Sequence, residues 1–538
     1  MTDETTSIVP ACSSTIIGMV ATCLVWKFRN NSSEEIDDND TSHHKKKREQ
    51  PFRNYNHPEK TVIDKIISSV IPFFLPVADL AQHPSHNKSE NHGMRKTIAS
   101  LRAKLSTMEE PPFQTSCKEW NSLIQKHKQK SDDILISGTV TIPRNDQVLL
   151  SLFGLVPTHP TAPPQDNGPE LFVDLTCPAS AIQSGIELEL KPGSDEDAKK
   201  LKDHGFRRFK PCRMEDVVFH ESSQLLLWFH GGGLVLGNAR TDNQSIVAAI
   251  KLSKKLLERT GGSTCSPPST RTAKEENCSP SPLAPPPIVV LSVNYRLAPE
   301  NPFPAAVIDG LSASSFLIKR HPSLNLHIGG ISAGGNLSAV VGLETYRAFG
   351  GVTSIMVHVP MTQPRADSLS YHLNSKSSGA CPVEFLRWCW SAYLQLDEKQ
   401  DGSIDFYVEG AMQKALDSSV WSDLYNSNSR DDDDNDDNDD NDDNDDDNYN
   451  GAMFWRLICP QVDLPSLEDD SVPKILIATA TADPLHDDGV ELVDGLKNKC
   501  KESSGKIHHF DLKGSHVLSS VFDTKGKDAF ILEWSKSF

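Results

Sequence analysis

The chain has 538 residues, a net charge of −19, 37% hydrophobic residues and a mean hydropathy of −0.41. It is longer than one average domain, and the low hydropathy indicates a core diluted by solvated segments. The charge falls from −19 to −6 once the 13 aspartates of residues 431–450 are set aside, and an acidic balance without a basic face excludes a nucleic-acid-binding role.

The eleven cysteines form no Cys-x-x-Cys pair. That pattern favours reduced thiols over a zinc or redox motif, and no metal or cofactor is expected.

Residues 7–26 are uncharged and end in an apolar run, Ile16 to Trp26. Asp3 and Glu4 precede it, where a secretory signal wants a basic start. The segment is a candidate N-terminal membrane anchor. Lys27, Arg29 and Lys45–Arg48 would then hold the following domain on the cytoplasmic side. The competing reading is a disordered tail with a sticky patch, and residues 27–60 read as a linker. Localisation is therefore cytoplasmic, or membrane-associated and facing the cytoplasm.

Val62, Ile63, Ile66, Ile67, Val70 and Ile71 make one helical face, ended by Pro72. This helix packs on the main domain, lids an apolar pocket, or lies on a membrane surface. A second helical stretch is expected over 94–108. Residues 133–200 mix strand-like runs (134–136 and 148–153) with Pro-rich loops and carry no functional reading.

From residue 212 strands and helices alternate. The predicted strands are 216–219, 224–229, 288–293, 324–328, 354–360, 474–480 and 506–510. The predicted helices are 246–257, 304–319, 336–348, 489–500 and 525–536. A Gly-, Ser-, Thr- and Pro-rich loop fills 260–287. This alternation predicts an α/β fold, a mostly parallel central sheet flanked by helices. It breaks for roughly 90 residues after 360. That insertion holds an aromatic helix (Phe385, Trp388, Trp390, Tyr393) and an Asp/Asn tract whose self-repulsion predicts disorder.

His230-Gly231-Gly232-Gly233 follows the apolar run Leu225–Phe229. Glycines there let backbone N–H groups approach a ligand, as an oxyanion hole requires. Gly330-Ile331-Ser332-Ala333-Gly334 lies between a strand and a helix, the context of a nucleophile elbow. The expected oxyanion donors are Gly231, Gly232 and Ala333, with Gly233 mainly letting the loop pass close by. A serine nucleophile needs a base, and the base an orienting acid. In this fold class the order is Ser, acid, His. Asp483 follows the strand 474–480, with Asp487 and Asp488 as rival acids. His516 follows the next strand, with His508, His509 and His486 as rivals. The expected catalytic set is Ser332, Asp483 and His516.

Residues 225–538 resemble the hormone-sensitive-lipase family of α/β-hydrolases, which includes arylacetamide-deacetylase-like esterases. The matching motifs are His230-Gly231-Gly232-Gly233, Tyr295-Arg296-Leu297-Ala298-Pro299-Glu300, Ser332-Ala333-Gly334-Gly335-Asn336 and Asp483-Pro484-Leu485. The resemblance implies cofactor-free hydrolysis of a small-molecule ester or acyl lipid, under a helical cap. His230 and Glu300 would then shape the site rather than do chemistry. Three departures stand out: Ile331 where the family commonly has Asp, Val517 after His516 where Gly-Phe is usual, and the long N-terminal extension with the Asp/Asn tract.

The expected organisation is a tail over 1–60, an N-terminal extension and part cap over 61–204, and a first core segment over 205–365. A cap insertion over 366–455, with the disordered tract at 430–450, and a second core segment over 456–538 follow. The alternatives are a non-catalytic ligand-binding or receptor protein on a hydrolase fold, or an amidase or deacetylase.

Overall fold

The computed structural model describes residues 135–146, 148, 169–187, 206–242, 246, 249–250, 286–374, 381, 383–395, 456–461, 472–499, 504–516 and 524–538. Residues 7–26, the expected helices at 62–71 and 94–108, most of the 260–287 loop and the Asp/Asn tract lie outside them. Among the described residues no helix is long and apolar enough to cross a membrane.

Twelve strands are described: β1 (Leu135–Pro143), β2 (Glu170–Pro178), β3 (Ile182–Ser184), β4 (Phe206–Arg208), β5 (Cys212–Arg213), β6 (Val218–Phe219), β7 (Gln224–Phe229), β8 (Ile288–Val293), β9 (Asn325–Ile331), β10 (Val352–His358), β11 (Lys474–Ala480) and β12 (Ile507–Leu512). The described helices are α1 (Ala305–Arg320), α2 (Ala333–Phe349), α3 (Leu369–Asn374), α4 (Val383–Leu394), α5 (His486–Lys499) and α6 (Thr524–Ser535).

The main sheet runs β12-β11-β10-β9-β7-β8-β2-β1-β4. Strands β7 to β12 are mutually parallel. β2 pairs antiparallel with both β8 and β1. The region without a functional reading thus supplies β1 and β2, which extend the sheet beyond β8. Val148 departs from the expected strand: its N–H bonds back to Asn145 in a helical turn, and Asn145 is itself held by Ser312 Oγ at 3.1 Å. Tertiary anchoring outweighs the local β preference there. Asp216 belongs to a 3-10 turn, and the strand begins later, at Val218.

The fold follows from strands that are apolar on both faces. All six residues of β7 are buried. Leu225, Leu227 and Phe229 join the core shared with α1 and α2. Leu226 and Trp228 point to the opposite face, where they meet Phe530, Ile531 and Trp534 of α6. Period-two alternation thus buries one side chain after another under helices on both sides. Leu227→Ala would leave a cavity in this layer and cost about 2–5 kcal/mol.

Parallel strands place their C-terminal ends on one edge. β7, β9, β11 and β12 therefore deliver the loops after Phe229, Ile331, Ala480 and Leu512 to the same rim. Open α/β sheets build their ligand sites at that rim.

Candidate active site

Ser332 sits between β9 and α2 with φ 59 and ψ −120. A non-glycine residue at positive φ is strained and persists only where its surroundings impose it. They do so here. Ser332 N–H donates to His358 O at 2.9 Å, and Ser332 O accepts from Met361 N at 3.1 Å. A Cβ on Gly330 would strike Gly334 O, and one on Gly334 would strike Phe229 O. The two glycines are therefore required by contact, and the turn packs directly on the end of β7. Asn336 fixes the next layer, donating to Met361 O at 2.7 Å and to Ile458 O at 2.8 Å.

Asp483 and His516 come from adjacent loops that are joined by backbone bonds. Thr481 N–H donates to Leu512 O, and Ala482 N–H to Gly514 O, both at 2.9 Å. Asp483 Oδ2 lies 2.6 Å from His516 Nδ1, and His516 Nε2 lies 3.0 Å from Ser332 Oγ. Asp483 Oδ1 accepts Leu485 N–H at 3.0 Å, and Asn374 of α3 holds Asp483 O at 3.0 Å. All three side chains are buried. Burial by itself would lower the His516 pKa. The Asp483 carboxylate outweighs it and holds the imidazole well above the ordinary histidine value, with Cys381 acting in the same sense.

The rival residues are occupied elsewhere. Asp488 Oδ2 accepts from Thr362 N, Gln363 N and Tyr371 OH. Asp487 accepts from Ser370 N. His486 bridges Asp487 and Asp511 at 3.2 and 3.3 Å, and that pairing raises its pKa to about 9 against the cost of burial. His509 bonds Thr479, and His508 faces Glu533.

The glycine loop lies against the serine: a Cβ on Gly231 would stand 3.5 Å from Ser332 Cβ. Gly232 and Gly233 have φ of 120 and 64, the region where only glycine is unstrained. A Cβ on Gly233 would strike Cys389 Sγ of α4, with Phe385 at 3.6 Å. His230 is buried and its pKa falls to about 4, so the ring is neutral. Its Nδ1 donates to Gly231 O at 2.8 Å, while Tyr295 OH donates to His230 O at 2.8 Å. Tyr295 is positioned in turn by its neighbour Arg296, whose N–H and guanidinium both bind the fully buried Asp309.

The three expected oxyanion donors differ in their surroundings. Gly231 N–H already donates to Asp242 Oδ2 at 3.2 Å. Among the described residues, no acceptor meets the N–H groups of Gly232, Gly233 or Ala333. Asp242 and Cys381 were not singled out in the sequence. Asp242 carried only the weak signal of an acid before a predicted helix, and a lone cysteine in an insertion carried none. Among the described residues no cluster of His, Cys, Asp or Glu is placed to hold a metal ion.

Residues 284–418 match the family model of the α/β hydrolase fold. The chain is 34% identical over 120 residues to an AB hydrolase superfamily protein of Schizosaccharomyces pombe, covering 21% of this chain and 26% of that protein. It is 25% identical over 293 residues to hormone-sensitive lipase of Ictidomys tridecemlineatus, covering 52% and 33%. It is 34% identical over 156 residues to carboxylic ester hydrolase LipN of Mycobacterium tuberculosis, covering 27% and 32%. The chain spans a third or less of the length of these relatives. Fold and matches together show an α/β-hydrolase fold and a similarity to hormone-sensitive lipase and bacterial ester hydrolases.

Proposed function

We propose that the chain is a serine hydrolase that cleaves carboxylic esters through an acyl-enzyme. The observation that carries this reading is the unbroken hydrogen-bond chain Asp483–His516–Ser332, at 2.6 and 3.0 Å, beside the glycine loop, where a Cβ on Gly231 would stand 3.5 Å from Ser332 Cβ. The names of the relatives, a lipase and a carboxylic ester hydrolase, support an ester or acyl-lipid substrate.

Ser332 Oγ attacks the ester carbonyl while His516 Nε2 takes its proton. Asp483 keeps the imidazole in the tautomer that exposes Nε2 and stabilises its cation. The oxyanion is received by N–H groups of Gly232, Gly233 and Ala333. Ala333 adds the field of the α2 N-terminus. His516 then protonates the leaving alcohol, activates a water and regenerates Ser332. The helices α3 and α4 belong to the expected cap, and α4 forms the wall behind Gly233. A binding protein on this fold has no use for the His516–Ser332 bond, which favours the hydrolase over that alternative.

The test is labelling with a fluorophosphonate probe and turnover of short- and long-chain p-nitrophenyl esters, for the wild type and Ser332→Ala. The wild type should label and turn over, and Ser332→Ala should lose kcat by a factor on the order of 10⁶. A wild type that neither labels nor hydrolyses any ester would sink the reading.

A further inference from the structure

We infer that Asp242 is a positioning residue for the oxyanion hole, setting the glycine loop through the N–H of Gly231. The inference rests on the ester-hydrolase reading above and names a residue outside the expected catalytic set.

Two consecutive peptides of the loop are pinned. The His230–Gly231 peptide is held at both ends: its carbonyl accepts from Tyr295 OH at 2.8 Å, and its N–H donates to Asp242 Oδ2 at 3.2 Å. The Gly231–Gly232 peptide is held at its carbonyl by His230 Nδ1 at 2.8 Å. In a trans peptide the N–H points opposite to the C=O. Fixing Gly231 O therefore aims the Gly232 N–H, and fixing Gly231 N–H sets the plane from which that peptide starts. A glycine cannot hold such a geometry by its own side chain, and unrestrained Gly-Gly peptides sample wide φ/ψ space. The restraint must come from partners, and Asp242 is the partner of the Gly231 N–H.

A carboxylate near an oxyanion hole is costly unless its charge is turned elsewhere. Here the same Oδ2 atom also accepts Trp228 Nε1–H at 3.2 Å. That second bond ties Asp242 to the end of β7, so the loop is registered against the sheet. Asp242 O meanwhile accepts Ile246 N–H at 3.0 Å, which places the residue where the loop turns into the next helix. Asp242 thus joins the sheet and the glycine loop at one carboxylate oxygen, while its backbone carbonyl takes the N–H of Ile246.

The experiment compares Asp242→Ala, Asp242→Asn and Trp228→Phe with the wild type. It reads kcat and KM on p-nitrophenyl butyrate and the rate of fluorophosphonate labelling, with near-ultraviolet circular dichroism as the check of fold. Asp242→Ala should lower kcat about 10- to 100-fold, with KM within about threefold, because only the transition state needs the donors aligned. Labelling should slow in parallel, since the phosphonyl oxygen uses the same donors. Asp242→Asn keeps an acceptor at the same place and should stay within about fivefold of wild type. Trp228→Phe removes only the other bond and should stay within about threefold.

Three results would overturn the inference: wild-type kcat and labelling in Asp242→Ala, a loss in Asp242→Asn as deep as in the alanine variant, or Trp228→Phe reproducing the alanine loss. If the alanine variant does not fold, the asparagine variant decides alone, and a loss beyond tenfold refutes the acceptor role. A wild type that does not label at Ser332 fails the hydrolase reading itself. Normal wild-type labelling beside an unaffected Asp242→Ala fails only the present inference.

Discussion

His516 Nε2 lies 3.0 Å from Ser332 Oγ although 184 residues separate the two in the chain. The other ring nitrogen lies 2.6 Å from Asp483, whose negative charge favours the imidazolium and raises the histidine pKa above 6.5. The base form of a histidine appears only above its pKa, so a raised pKa moves the active form to higher pH. We therefore expect kcat/KM to rise with pH through a midpoint above 6.5 and to level off on the alkaline side. Asp483→Asn should lower that midpoint and reduce kcat about 10⁴-fold. A pH–rate profile of the two proteins measures both, and a wild-type midpoint at or below 6.5 would contradict the electrostatic account.

The strained backbone at Ser332 makes a stability prediction of unusual sign. At φ 59 a glycine is free of the Cβ clash that serine suffers. Relief of that strain exceeds the entropy glycine adds to the unfolded chain. Ser332→Gly should therefore abolish esterase activity while raising stability by about 1 kcal/mol. Chemical denaturation checks it, and a destabilised variant would show that Ser332 is not strained.

Gly233 tests the contact between the glycine loop and α4. An added Cβ would meet Cys389 Sγ and would also sit at φ 64. Gly233→Ala should cost about 2–4 kcal/mol and most of the activity. Combining it with Cys389→Ala, which removes the sulfur in the way, should recover part of the stability but not the backbone strain. The double variant should then be non-additive by about 1 kcal/mol. Strict additivity in thermal melts would mean that the two residues do not meet.

His486 supplies a second titration, independent of catalysis. Its pKa is raised from 6.5 to about 9 by Asp487 and Asp511. A group whose folded pKa lies above its unfolded value stabilises the fold while it stays charged. That contribution is complete below about pH 6.5 and is lost as the pH rises to about 9. Asp511 is 45% exposed, so solvent screens much of the pair. Tm should fall across this window in the wild type, and His486→Gln should flatten the fall. A wild-type Tm that holds constant from pH 6.5 to 9 would remove His486 from the account.

The core strands and the catalytic loops were legible because their information is local. The apolar runs Leu225–Phe229 of β7 and Ile288–Leu291 of β8 announce buried parallel strands. The Gly330–Gly334 turn carries in five residues the small side chains that its backbone contacts demand. The order of glycine run, serine, aspartate and histidine along the chain singles out Ser332, Asp483 and His516 as the proposed set, and these are the three side chains that the fold links by hydrogen bonds. The helix boundaries shifted by a few residues, as at α2, which starts at Ala333 rather than 336, because caps depend on tertiary partners such as His358 O.

What the sequence by itself determined is the class of fold and the residue types of the site, since both follow from periodicity and from short motifs. What only the tertiary structure decided is which partner each polar group takes. Spacing offered Gly231 as an oxyanion donor, but the carboxylate of Asp242, eleven residues on, claims its N–H. Asp487 and Asp488 were rivals of Asp483 until the fold turned them towards Ser370, Thr362 and Gln363, more than a hundred residues earlier. The strands β1 and β2 had no strong pattern of their own and are fixed by pairing with their neighbours in the sheet. Hydrogen-bond partnership is a short-range force between groups distant in sequence, and only the folded chain brings those groups within reach.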